Sequence, residues 1–144
     1  MLFGVKRIVI DTAVVVTAFR SRKGAGQALL RAVAMGRFVL LATVSLFLEY
    51  ESVLKRPEHL LATEFSLDDV EGILGELAAL IEPVAVHFLW RPQLADPADE
   101  MVLEAAVNGQ ADALVTYNVR DFGAASRFGL PVLLPGDLLR MGTS

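Results

Sequence analysis

Five short, continuously apolar runs alternate with helix-length segments, and that alternation constrains the fold more than any other feature of this chain. The strand-like runs are KRIVI (6–10), FVLLA (38–42), VAVHF (84–88), ALVT (113–116) and PVLL (131–134). A strand with one face in water alternates apolar and polar residues, whereas a strand covered on both faces does not. Between the runs lie GAGQALLRAVAMG (24–36), SLFLEYESVLKRP (45–57), SLDDVEGILGELAALIEP (66–83) and DPADEMVLEAAVNG (96–109). Their punctuation is helical. Ser45, Ser66 and Asp96 offer N-caps, Pro97 suits a first helical turn, Gly36 and Gly109 suit helix ends, and Pro57 stops its segment. The pattern predicts a three-layer α/β/α sandwich around a central parallel sheet of about five strands, one domain over residues 1–144.

Within that scheme Asp11 is costly. Ile8, Val9 and Ile10 lead straight into it, and the chain returns at once to Val14, Val15 and Val16. An isolated buried carboxylate is strongly unfavourable unless it is paired, hydrogen-bonded or bound to a cation. Asp11 stands at the carboxyl end of the first strand, where open parallel sheets bind their ligands. Other acids belong to the same end. Glu49 is three residues after Leu46 and four before Val53, on the apolar stripe of its helix, whereas Glu51, about 200° further round, should face solvent. Asp99 and Glu100 fall in the first turn after Asp96, where carboxylates favour any helix through its dipole. Asp121 follows the fourth strand in TYNVRDF, where an Asx-turn or the N-cap of a short helix (121–127) would also account for it.

Composition narrows the chemistry. The chain has no cysteine, so it has no disulfide framework, thiolate nucleophile or Cys-ligated zinc. Four converging carboxylates would repel one another, and a hard divalent cation resolves this; oxygen donors without Cys or His select Mg²⁺ or Mn²⁺ over zinc. A net charge of −4 argues against holding nucleic acid by bulk electrostatics, but not against a metal-filled acidic centre with a basic rim. The longest uncharged apolar stretch, residues 38–48, is too short to span a membrane. With MLFGVKRIVID running straight into a strand pattern, the expectation is a soluble cytoplasmic protein. An apolar content of 54% leaves side chains for a subunit interface.

RIVIDT, SLFLEYESVLKRP, DPADEMVLEAAVNGQADALVTYNVRDF and LPVLLPGDLL together resemble the PIN-domain ribonucleases, particularly the VapC-type toxins of toxin–antitoxin systems. The resemblance implies metal-dependent cleavage of an RNA phosphodiester with Mg²⁺ or Mn²⁺. It places the family's four acids on Asp11, Glu49, Asp99 and Asp121, with Thr12, Thr116 and Asn118 as supporting polar groups. The position two after the first acid is usually Asn in the family and is Ala13 here. Asp96 and Glu100 are nearby acids that could take the role of Asp99. A cognate antitoxin and a homodimer are further implications. RNA contact would fall to Arg20, Arg22, Lys23 and Arg120, with Ser21–Gly24 as a loop over the site. Trp90 offers a stacking surface or an apolar lid. His59 and His87 are read as lying apart and off this face, His87 packed within a strand, which leaves no imidazole acid–base pair.

Two other readings compete. A haloacid-dehalogenase-like phosphatase also places an Asp after the first strand but needs D-x-D, and Ala13 occupies the second position. A PIN fold with a weakened site, binding RNA or a partner, draws its support from Ala13. No G-x-x-x-x-G-K-[ST] or strand-linked G-x-G-x-x-G phosphate cradle occurs.

Overall fold

The computed structural model describes residues 6–21, 23–88 and 93–141. β1 (Lys6–Ile10) leads into α1 (Thr12–Arg20) and α2 (Ala25–Ala34), and β2 (Phe38–Ala42) into α3 (Val44–Leu54), α4 (Pro57–Thr63) and α5 (Leu67–Leu80). After β3 (Ile81–Pro83) come α6 (Pro97–Asn108), β4 (Ala113–Val115), a 3₁₀ segment (Val119–Phe128), β5 (Val132–Leu133) and α7 (Pro135–Met141).

All the strands are parallel, in the order β3-β2-β1-β4-β5. Ile8, Val9 and Ile10 are completely buried, although successive strand residues point to opposite faces, so both faces are covered. α2 packs on β2, while α6 packs on β1, β2 and β4. Right-handed crossovers require opposite faces for connections that run in opposite directions across the sheet, which makes the sandwich. Each fully buried aliphatic side chain contributes about 1.5–3 kcal/mol of hydrophobic stabilisation, so the central strands anchor the fold.

Helix ends follow local chemistry. α2 closes with Gly36 at φ +80°, its N–H on the Val33 carbonyl and that of Arg37 on the Ala32 carbonyl, the paired bonds of a Schellman motif. Ser66 caps α5 in a reciprocal box with Asp69, and Asp96 Oδ1 accepts from Ala98 N–H at 2.9 Å. α3 starts earlier than expected. Thr43, not Ser45, is its N-cap, because the Thr43 hydroxyl accepts from Leu46 N–H at 3.1 Å. Glu51 is half-buried and paired with Lys55 at 2.9 Å, rather than facing open solvent.

The third strand is displaced from its expected position. Residues 66–83 are not all helix: α5 stops at Leu80, and Ile81–Pro83 pair with Leu40–Ala42. Val84 N–H adds one bond to Ala42 O, where β2 ends and leaves no ladder for VAVHF to join. Asn108 takes over instead. Its Oδ1 accepts from the N–H groups of His87 and Phe88 at 2.8 Å each, and its Nδ2 donates to Phe88 O at 2.9 Å. His87 is consequently exposed in irregular chain, not packed in a strand. The expected short helix at 121–127 is a longer, kinked 3₁₀ segment.

Candidate active site

The order of strands reverses between β1 and β4, and the two residues that follow these strands meet across that switch. Asp11 follows β1 and Thr116 follows β4; Thr116 Oγ1 donates to Asp11 Oδ2 at 2.7 Å. The same hydroxyl accepts from Asn118 N–H at 3.0 Å, so one buried threonine ties the carboxylate to the loop beyond β4. Beneath them, the Tyr50 hydroxyl donates to the Ile10 carbonyl and fixes the backbone that delivers Asp11. The fully buried phenol has its pKa raised by desolvation first and by the Asp11 charge second.

Above this switch opens a cleft of about 500 Å³. Asp11, Glu49, Asp99 and Asp121 all line it, as do Thr12, Asn118 and Asp96. The elements that bring them there are distinct: Asp11 occupies the N-cap position of α1, Glu49 is on α3, Asp99 is in the first turn of α6, and Asp121 is in the first turn of the 3₁₀ segment. Thr116 lies below the cleft floor as a support. Thr12 Oγ1 is buried without a hydrogen-bond partner, leaving its polar capacity open to a bound group.

The electrostatics follow from this crowding. Burial raises the Asp11 pKa most; the Thr116 hydroxyl and the Thr12 and Ala13 amides oppose that rise, and the Asp121 charge adds to it. Asp99 is pushed up to about 6, by burial first and then by the negative charges of Asp11, Asp96 and Asp121. These carboxylates feel one another, and a cation or protons would relieve them.

Glu100 does not share the cleft. It is buried and accepts from the Gln93 and Leu94 amides, fastening the chain that enters α6. Asp96 reaches the cleft rim but is engaged as the α6 cap. His59 corrects the reading from sequence. It lines the cleft, brought there by α4, and its Nδ1 lies 3.4 Å from Arg20 Nη1. Arg56 also lines the cleft, and no spacing in the sequence announces it, because it lies past the end of α3 as the extended N-cap of α4. Of the expected basic residues, Arg20 lines the cleft, whereas Lys23 and Arg120 are exposed and do not. Arg22 and Trp90 lie outside the described residues, and of the expected loop over the site Lys23 stands clear of the cleft. Ala13 is exposed on the cleft wall.

Asp11, Glu49, Asp99, Asp121 and Thr12 offer oxygen donors that fit a hard divalent ion, among them a buried carboxylate and an orphaned hydroxyl, while His59 is engaged with Arg20. Among the described residues, no three Asp, Glu or His side chains already stand close enough to form a ready-made metal cage. The fit is one of donor chemistry and location.

A family model described as PIN domain matches residues 7–120 of the chain. No curated protein matches it.

Proposed function

The chain belongs to the PIN-domain family, whose members are generally nucleases, and on that premise we propose that it is a Mg²⁺- or Mn²⁺-dependent endoribonuclease, the toxin of a toxin–antitoxin pair. The observation that carries this reading is the meeting of four acids from four elements in one cleft at the switch of strand order. Asp11 and Asp99 would hold the ion, with Glu49 and Asp121 as further ligands or as bases that orient water. When bound, the ion supplies Lewis acidity, making water easier to deprotonate and neutralising charge on the scissile phosphate. Thr116 keeps the Asp11 carboxylate in one orientation through its 2.7 Å bond. Thr12 and Asn118 are available to hydrogen-bond water or a phosphate oxygen.

The toxin role rests on the likeness to VapC-type chains over the four quoted stretches. An antitoxin would enter the cleft with a basic side chain among acids that repel one another. The homodimer rests on the same likeness, and the expected setting is the cytoplasm. Ala13 favours a second reading, a PIN fold that binds RNA or a partner without turnover, because a side chain of the family's Asn type is missing from the wall beside Asp11.

The test is cleavage of a mixed-sequence RNA with Mn²⁺ or Mg²⁺, beside an EDTA control and Asp11→Asn. Cleavage is expected to need both the metal and Asp11. Folded protein that binds Mn²⁺ and cuts nothing would move the conclusion to the second reading, and full cleavage by Asp11→Asn would sink the mechanism.

A further inference from the structure

The cleft is acidic at one end and basic at the other, and both of its helical walls carry the same gradient. On α1, Ala13, Val16, Thr17 and Arg20 recur at helical spacing along the cleft face, beginning beside Asp11. On the opposite wall Glu49 and Val53 lie one turn apart on α3, and past the end of that helix come Arg56, the N-cap of α4, and His59 in its first turn. Each wall therefore runs from carboxylate through buried valine to arginine. The nine residues of α1, at about 1.5 Å rise each, put the Arg20 backbone roughly 13 Å from its acidic end.

Neither arginine neutralises the acids. Among the described residues Arg20 and Arg56 make no ion pair, although both share a cleft with five carboxylates. Arg20 is instead held by His59. Arg20 Nη1 lies 3.4 Å from His59 Nδ1, and since a guanidinium has no acceptor, a hydrogen bond there needs Nδ1 to accept, with the ring proton on Nε2. Unpaired guanidinium groups facing into a cleft suit an anion with planar oxygen pairs, above all a phosphate.

We propose that Arg20 and Arg56 form a second phosphate subsite that grips a backbone phosphate flanking the one at the acids, with His59 as a positioning residue for Arg20. The substrate is then a polynucleotide strand rather than an isolated diester, and Val16 and Val53 form the floor between the two phosphates. This inference rests on the nuclease reading for the acidic end only, since the basic end is tested by binding as well as by turnover.

The experiment compares single-stranded RNA with bis(p-nitrophenyl) phosphate, a diester that has no second phosphate. Arg20→Gln and Arg56→Gln are each expected to lower the ratio of RNA cleavage to diester hydrolysis about tenfold or more, the loss of one charge-assisted contact. His59→Leu lowers the same ratio, and His59→Asn, whose amide oxygen can still accept from Arg20, restores part of it. Equal losses on both substrates, or no loss on RNA, would overturn the subsite while leaving the nuclease reading in place. If the wild-type chain hydrolyses neither substrate, fluorescence anisotropy with labelled RNA decides. Weaker binding by both arginine variants, with the salt slope reduced by about 0.7 per contact removed, supports the subsite after the nuclease reading has failed. Equal binding by wild type and variants, or no binding by any of them, overturns both.

Discussion

Asp99 shows how the site works against the fold at the scale of one residue. Its pKa is raised to about 6 by burial and by Asp11, Asp96 and Asp121, against an ordinary value of 3.8. Between those two values the folded chain holds more protons than the unfolded one, so folding is favoured as pH falls through 6. The metal-free protein is therefore expected to melt at a higher temperature at pH 5 than at pH 8. Asp99→Asn should flatten that dependence and raise the melting temperature at pH 8, read by scanning fluorimetry in EDTA. An unaltered pH profile in the variant would show that Asp99 is not the strained group. Asp11 and Glu49 were legible in the sequence because each interrupts an apolar pattern. Arg56 and His59 were not, because a basic residue beside a helix break looks like ordinary surface until α4 folds it against α1. Glu100 was ambiguous for the opposite reason: its neighbours at Gln93 and Leu94 come from a bend that no periodicity announces.

At the scale of elements, helix caps and buried strands were read more securely than the position of an edge strand. β1, β2 and β4 are apolar because both faces are covered. β3 has only β2 beside it, and its three residues are set by where β2 ends, which makes VAVHF a strand-like sequence without a strand. Thr43 displaced Ser45 as the α3 cap because β2 ends at Ala42, so the next residue has to turn the chain. Gly109 shows the reach of packing over local preference. It follows α6 at φ −82°, where any residue is allowed, while Gln110 takes the left-handed φ of +52°. Glycine is needed there for space: a Cβ would lie 2.9 Å from Ala105 O, 3.0 Å from Leu41 Cδ1 and 3.0 Å from Val84 Cγ2. Gly109→Ala is expected to lose about 1–3 kcal/mol in urea denaturation through overpacking of α6 against β2 and the end of β3. A variant as stable as the wild type would mean that α6 sits less tightly on the sheet.

At the scale of the whole molecule, sheet order and charge distribution give a single account. The reversal of order between β1 and β4 opens the crevice, the carboxyl ends of those strands place Asp11 and Thr116 at it, and helices on both sides add the remaining acids. A net charge of −4 conceals a cleft with an acidic and a basic end. The layered fold was legible from the alternation of strands and helices alone, but the order of strands was not, since no local pattern encodes which strand lies beside which. The central claim is that the buried Asp11 centre is built for a divalent cation. It is tested most directly by calorimetric titration of Mn²⁺ into the folded chain at pH 7.5, with Asp11→Asn alongside. Saturable binding that the variant loses while remaining folded is the predicted result; at a hundredfold excess over Kd, such binding would also stabilise the wild type by about 2.7 kcal/mol. No binding by the wild type, or equal binding by Asp11→Asn, would contradict the account.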